Sequence, residues 1–150
     1  MPEKETLERA EEDKREGKAA STQAGEFVKE EMDHIRDGKH GARSTKQAIA
    51  IGLSKARREG VKLGVPKKGK ASEKTRRQAA RDVSKGTAGR KAKPSAKRSR
   101  ATSLALKREG HAAGSKQSLS RQAKSAAAKR SKASRSRSAK KAAATRRSES

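Results

Sequence analysis

The chain has 150 residues with a formal net charge of +25, and only 29% of the residues are hydrophobic. It contains no cysteine, which excludes disulfides, thiolate zinc sites and thiol catalysis. Its longest apolar run, Ala48–Leu53, is far too short to cross a membrane, and its acidic start lacks the apolar core of a secretory signal, so we expect a cytoplasmic protein.

The charge is divided unevenly along the chain. Residues 1–37 carry seven Lys/Arg and twelve Asp/Glu, whereas residues 38–150 carry thirty-five Lys/Arg and five Asp/Glu. Phosphates attract such a basic tail without regard to base sequence, because binding releases condensed counterions. The acidic head has two interpretations that the sequence leaves open: it pairs with the basic tail until nucleic acid displaces it, or it contacts a protein partner.

Residues 1–20 predict an acidic, solvated helix. Acidic residues near the start of Glu3–Glu16 suit the helix dipole, and Leu7 is the only large apolar side chain in this segment. Gly17 is expected to end the helix.

Residues 21–65 predict a helical hairpin and form the one segment that we expect to fold. Its first half carries an apolar stripe at helical spacing, formed by Ala24, Phe27, Val28, Met32 and Ile35. Ser44 and Gln47 form a capping box at the start of the second helix, which ends at Gly60. Because large apolar side chains are few, the hairpin is expected to need self-association, as a homo-oligomer, or a partner.

Residues 66–150 form a low-complexity tail of Lys, Arg, Ala, Ser and Gly. Helical patterns occur at Ser72–Lys85, Ser99–Glu109 and Ser115–Arg130, but each is too short or too poor in large apolar residues to be stable alone. The predicted fold class is therefore mostly α with extensive disorder, a small N-terminal helical hairpin followed by a largely disordered basic tail with transient helices.

A short motif recurs in three places, with two basic residues followed by Glu and Gly. It occurs in Lys14–Ser21, Arg57–Gly64 and Lys107–Gly114. The pattern favours a repeated helix ending, in which glycine follows a basic last turn. A duplicated helix-loop unit that presents the basic pair to phosphate is the alternative.

Adjacent basic residues recur along the tail and are the predicted phosphate contacts. The Ser, Gly and Ala between them let the backbone follow a phosphate path, and without aromatic residues the tail has no platform for stacking on bases. The predicted nucleic-acid-binding residues are Arg57, Arg58, Lys67, Lys68, Arg76, Arg77, Arg90, Lys91, Lys97, Arg98, Lys107, Arg108, Lys129, Arg130, Lys140, Lys141, Arg146 and Arg147.

The sequence gives less support to sequence-specific DNA reading, to metal binding and to catalysis. Ser44–Glu59 has the start of a helix-turn-helix reading helix, but its middle is apolar. Asp33, His34, Asp37 and His40 lie close in sequence, yet such groups in a polar turn are usually solvated, so no metal is expected. No nucleophile–base pair or phosphate-binding glycine loop is visible, and we expect neither catalysis nor a cofactor.

The run GKHGARSTKQAIAIGLSKARR, Gly38–Arg58, resembles a family of small uncharacterised bacterial proteins, and the likeness extends over about residues 3–65. The resemblance implies a bacterial source and a domain without an assigned activity, and it supplies no catalytic or ligand residues. The tail is similar in composition to the Lys- and Ala-rich tails of linker histones and bacterial histone-like proteins.

The sequence therefore predicts a non-enzymatic, histone-like protein of the nucleoid. We expect it to bind DNA phosphates without sequence specificity, to favour DNA over RNA, and not to bind membranes. Two alternatives stay open. One is an interaction module whose hairpin docks a protein partner, and the other is an RNA- or ribosome-associated protein.

Overall fold

The computed structural model describes residues 1–89, 93 and 95–149. These residues form helices α1 (Lys4–Arg15), α2 (Ala20–Arg36), α3 (Thr45–Arg58), α4 (Glu73–Thr87), α5 (Ala96–Lys107), α6 (Lys116–Ala128) and α7 (Lys132–Ser148), and a 3₁₀ turn over Ala112–Gly114. Their contacts divide the chain into two compact units, Met1–Ser115 and Lys116–Ser150. In the part of the chain that the structure describes, no helix has the length and apolarity needed to cross a membrane.

Helices α2 and α3 pack against each other as the predicted helical hairpin. The apolar stripe of α2 is buried at Ala24, Phe27, Met32 and Ile35. The cap at the start of α3 also forms as expected, because the Gln47 N–H donates to Ser44 Oγ at 3.2 Å. The Gln47 side chain reaches back one residue further than a standard capping box, and its Oε1 accepts from the Arg43 N–H at 2.7 Å.

Helix α1 packs on α2. Its Ala10 is buried, and Leu7 joins the apolar cluster around Phe27 and Ala56. Gly17 follows the last turn of α1 with φ of +73°, a left-handed conformation that favours glycine, and the predicted end of the helix is confirmed.

The last residues of α5 and the segment that follows them close over the turn that joins α2 to α3. The Gly41 N–H donates to the Leu106 carbonyl at 2.9 Å, and the Ala42 N–H donates to the Gly110 carbonyl at 3.1 Å. We name residues 106–114 the clasp. Because Gly41 and Ala42 are buried, the clasp supplies acceptors to backbone donors that water does not reach freely.

Two side chains complete the attachment of the clasp. Thr45 Oγ1 donates to the Ala113 carbonyl at 2.7 Å, and Arg36 Nε donates to the Gly114 carbonyl at 2.9 Å. Both Ala113 and Gly114 are buried. The clasp is therefore part of the same packed unit as α2 and α3.

The repeated Glu-Gly motif has two structural roles. Gly17 and Gly60 adopt φ of +73° and +88° after α1 and α3, as a repeated helix ending predicts. Gly110 has no positive φ, and its carbonyl belongs to the clasp instead. The third copy of the motif therefore joins two distant parts of the chain.

The expectation of extensive disorder in the tail is wrong, because helices α4 to α7 occupy most of it. Helix α4 packs on α3 and buries Ala79. Ala, Lys and Arg are among the strongest helix formers, and Ser72 and Ser131 cap α4 and α7 through their side-chain oxygens. Caps, helix propensity and the burial of alanine thus support these helices although large apolar side chains are few.

Candidate nucleic-acid interface

Helix α4 is fixed to α3 by a buried carboxylate. Asp82 is 1% exposed and accepts from Arg58 Nε at 2.8 Å and from Ser54 Oγ at 2.7 Å. Gln78 Nε2 donates to the same carboxylate at 3.1 Å. Because three donors satisfy Asp82, the contact sets which face of α4 points away from α3.

Four cations lie on the opposite face of α4. They are separated by three or four residues, a spacing that places side chains on one side of a helix, and all four are exposed. We name Lys74, Arg77, Arg81 and Lys85 the α4 stripe. Within the described residues none of the four forms an ion pair, so their charges face solvent.

Three of the predicted phosphate contacts have partners within the protein. Arg58 is paired with Asp82. Arg76 donates to the Pro66 carbonyl at 3.0 Å and is ion-paired with Glu73. Arg57 is partly buried, and its Nη2 lies 3.4 Å from the Gly64 carbonyl oxygen. These contacts give the three arginines a role in holding α3, α4 and the segment between them.

The other described candidates are exposed. In residues 1–115 they are Lys67, Lys68, Arg77, Lys97, Arg98, Lys107 and Arg108, and in residues 116–149 they are Lys129, Arg130, Lys140, Lys141, Arg146 and Arg147. Arg130 also donates to the Ser134 side chain and carbonyl. Arg90 and Lys91 lie outside the described residues. Phosphate contact by any of these residues stays a prediction.

The structure groups the cations differently from the sequence analysis. Neighbouring residues on a helix point about 100° apart, so a basic pair such as Arg76 and Arg77 divides between two faces. Cations three or four residues apart share a face, which is why Lys74, Arg81 and Lys85 join Arg77. The helical period was the signal in the sequence that would have identified these three residues.

The C-terminal unit is itself strongly basic. Residues 116–150 carry twelve Lys/Arg and a single acidic residue, Glu149. Neither α6 nor α7 has a buried residue, so the cations of both helices are accessible. Like-charge repulsion within such a helix falls when phosphates neutralise it.

Many carboxylates of the acidic head already bind nearby cations. Arg9 Nε lies 2.6 Å from Glu26 Oε2, and Lys18 Nζ lies 2.9 Å from Asp13 Oδ1. Arg9 is held in addition by Glu5. These charges are neutralised within the head, which leaves fewer of them for screening the basic tail.

Two buried carboxylates on α2 and a partly buried lysine on α3 join these helices. Lys55 Nζ lies 3.1 Å from Glu30 Oε1 and also contacts the Glu31 carboxylate. Burial alone would lower the pKa of Lys55, but hydrogen bonds and charges from Glu31 and Glu30 raise it above its usual value. Burial alone would raise the pKa of Glu30, but hydrogen bonds from the Glu3 N–H, Thr6 and Lys55 lower it. Lys55 therefore stabilises the hairpin and is not free to bind phosphate.

Residues 13–70 match a family described as a family of unknown function (DUF6496). The matched segment runs from the end of α1 through α2 and α3 and stops before α4. No curated protein and no solved structure matches the chain significantly. The α2–α3 hairpin with its partly buried Lys55 is thus similar to this family, whereas the α4 stripe and the C-terminal unit lie outside the matched residues.

Proposed function

We propose that the protein is a non-enzymatic, histone-like nucleic-acid-binding protein that contacts DNA phosphates without sequence specificity. The observation that carries this proposal is the α4 stripe. Four exposed cations, none of them in an ion pair with another described residue, stand on one face of a helix whose opposite face is fixed to α3. A fixed row of cations binds a polyanion at a lower entropic cost than the same cations on a mobile chain.

The C-terminal unit supports the same function. Helix α7 carries seven cations that are distributed around most of its circumference, so it can bind phosphates in many orientations and without a defined register. The chain's excess of positive charge also speeds encounter with a polyanion. A DNA-coating protein of this kind would be located on the nucleoid, in keeping with the bacterial source that the likeness of Gly38–Arg58 implies.

Two features support phosphate contact over base reading. Phe27, the one Phe, Tyr or Trp residue of the chain, is 1% exposed and cannot stack on a base. At the start of α3, where a reading helix would contact base edges, the Ser44 and Gln47 side chains are engaged in capping.

The test compares two variants of the full chain with matched loss of charge. The first replaces Lys74, Arg77, Arg81 and Lys85 of the α4 stripe with Gln. The control replaces four exposed lysines scattered over α1, α2, α3 and the segment after α3, namely Lys14, Lys29, Lys46 and Lys62. Affinity for duplex DNA, single-stranded DNA and RNA is measured by fluorescence anisotropy at several salt concentrations.

We expect the α4 variant to bind duplex DNA more weakly and with less salt dependence. Each lost phosphate contact lowers the slope of log K against log salt by about 0.9, so the loss of four contacts lowers it by roughly 3–4. The control variant should lower it by less than about 1. Equal losses in both variants would overturn the α4 stripe as an interface.

The same measurements address the alternative functions. Tighter binding of RNA than of duplex DNA would favour the RNA-associated alternative. If the intact protein binds no nucleic acid in dilute buffer, the proposed function is wrong and the protein-docking hairpin takes its place. A separate variant measures how much the C-terminal unit contributes to the affinity for nucleic acid. It replaces Arg135, Arg137, Lys140 and Lys141 of α7 with Gln.

A further inference from the structure

Two of the three histidines, His34 and His40, come together with Glu31 at the end of α2. Glu31 and His34 lie three residues apart on α2, and His40 lies in the turn that follows. Each of these three side chains offers one ligand atom, and the three atoms all lie within 4.8 Å of one another. The third histidine, His111 of the clasp, is close by, with its Cε1 3.9 Å from the position that a Cβ on Gly38 would occupy.

The contact between His40 and Glu31 needs a positive centre. His40 Nδ1 lies 3.0 Å from the Gly41 carbonyl oxygen, which only accepts, so Nδ1 carries the hydrogen. In a neutral imidazole Nε2 is then an acceptor, yet it faces Glu31 Oε2 at 3.3 Å. Two acceptors at this distance repel each other unless a proton or a metal cation lies between them.

The distance itself fits a metal site. Two ligand atoms that each lie about 2.0–2.1 Å from a tetrahedral Zn²⁺ are roughly 3.3 Å apart. The separation of His40 Nε2 from Glu31 Oε2 is 3.3 Å, which is long for a charge-assisted hydrogen bond. The two atoms therefore already have the spacing of neighbouring zinc ligands.

Each of the two histidines has a polar partner on one ring nitrogen, as metal-binding histidines commonly do. The Gly41 carbonyl holds the His40 ring through Nδ1, and the Glu3 carboxylate lies 2.9 Å from His34 Nε2. Such outer partners fix the orientation of the ring and increase the basicity of the ligand nitrogen. The rings stand nearly perpendicular, with their centroids 5.8 Å apart.

The surrounding charge accommodates a dication. Glu3, Glu30 and Glu31 contribute three negative charges, and Lys39 and Lys55 contribute two positive ones. Lys55 contacts Oε1 of Glu31, which leaves Oε2 toward His40. The His34 and His40 side chains are 14% and 17% exposed, so an ion can enter from solvent and a water can complete its coordination.

We propose that Glu31, His34 and His40 bind a divalent transition-metal ion, with Zn²⁺ as the best fit. Two imidazoles and one carboxylate are a ligand set that Zn²⁺ uses, whereas Mg²⁺ and Ca²⁺ prefer oxygen ligands alone. The ion would join the end of α2 to the turn before α3. This function is independent of nucleic-acid binding, because none of the three ligands belongs to the α4 stripe.

The experiment uses the full chain and Zn²⁺ in isothermal titration calorimetry. We expect one Zn²⁺ per chain, an affinity at least about 100-fold weaker in His34→Gln and in His40→Gln, and a loss of about 10-fold in Glu3→Gln. His111→Gln is the matched control, a nearby histidine outside the cluster, and should bind Zn²⁺ as the unaltered protein does. No stoichiometric binding, or an equal loss in His111→Gln and His40→Gln, would overturn the proposal.

A second measurement needs no variant, so it is independent of any effect on folding. Co²⁺ replaces Zn²⁺ in such sites, and its visible absorption reports the coordination geometry. We expect the intense bands of tetrahedral Co²⁺ on addition to the intact protein, and their loss when excess Zn²⁺ follows. The weak spectrum of octahedral, solvated Co²⁺ would contradict the site.

Discussion

Gly52 of α3 lies directly against Val28 of α2, so that a Cβ on residue 52 would be 2.7 Å from Val28 Cα. Backbone atoms cannot move aside as a flexible side chain can, so Gly52→Ala forces the two helices apart. We expect the free energy of unfolding to fall by about 1–3 kcal/mol, although alanine favours helix formation. Urea unfolding followed by circular dichroism measures the change.

Gly25→Ala is the control for this prediction, because a Cβ on residue 25 of α2 would meet no atom within 4 Å. It should stabilise the protein by roughly 0.5–1 kcal/mol through helix propensity alone. A Gly52→Ala protein as stable as the Gly25→Ala protein would show that α2 and α3 do not approach as closely as described.

The clasp depends on Gly41 in the same way. A Cβ on residue 41 would lie 2.0 Å from the Glu109 carbonyl oxygen, so Gly41→Ala displaces the clasp from the turn. We expect the amide of Ala42 to lose its protection against hydrogen exchange while the amides within α2 and α3 keep theirs. Gly64→Ala, at an open position, should leave the exchange of Ala42 unchanged. Continued protection of Ala42 in the Gly41→Ala protein would exclude this role for the clasp.

The pair of Arg58 and Asp82 predicts unequal effects of removing either partner. The Arg58 side chain is 48% exposed and that of Asp82 is 1% exposed. Arg58→Met leaves a buried carboxylate without its cation, whereas Asp82→Asn leaves a cation that water can solvate. We expect Arg58→Met to lower the free energy of unfolding by about 1–3 kcal/mol and Asp82→Asn to lower it by less.

Glu73→Gln is the matched control, because it breaks an exposed pair with Arg76 and should change stability by less than about 0.5 kcal/mol. The asymmetry is measured by urea unfolding of all three variants. If Asp82→Asn proved more destabilising than Arg58→Met, the account of the buried carboxylate would be incorrect.

The dependence of the free energy of unfolding on pH in the acidic range tests the contacts of Glu3. Hydrogen bonds from Lys39 and then His34 lower the pKa of Glu3 from 4.5 to about 2. The folded chain therefore binds this proton less readily than the unfolded chain, so the contribution to stability is complete above pH 4.5 and is lost as the pH falls toward 2. Glu3→Gln removes that contribution.

Unfolding curves with a metal chelator present, recorded between pH 2 and pH 6, test this prediction. The stability difference between the unaltered protein and Glu3→Gln should be constant near pH 6 and should shrink as the pH approaches 2. A difference that stays the same over the whole range would contradict the contacts assigned to Glu3.

The local part of the fold could be predicted from the sequence, because it depends on residues close together in the chain. The helical spacing of Phe27, Met32 and Ile35 and the cap at Ser44 are both short-range signals, and both gave correct helices. The stability of the tail could not be predicted in this way. The tail packs through buried alanines, such as Ala79 and Ala113, which bring backbones close together without large side chains.

The contacts between residues far apart in the chain could not be predicted from a single sequence. Nothing in the local pattern indicates that Asp82 packs beside Ser54, or that Glu31 meets His40. The sequence predicted that the interface is basic, but it did not predict which cations lie together. The prediction grouped adjacent basic residues, whereas cations three or four residues apart share a face of a helix.

The clasp is synthesised after the hairpin that it contacts. The residues of the helical hairpin are translated well before Leu106, and roughly seventy residues separate Ala42 from the end of the clasp. At about 5–20 residues per second, the turn after α2 waits for several seconds before its last acceptors arrive. During that interval the turn of the nascent chain lacks the clasp and is exposed to the surroundings of the exit tunnel.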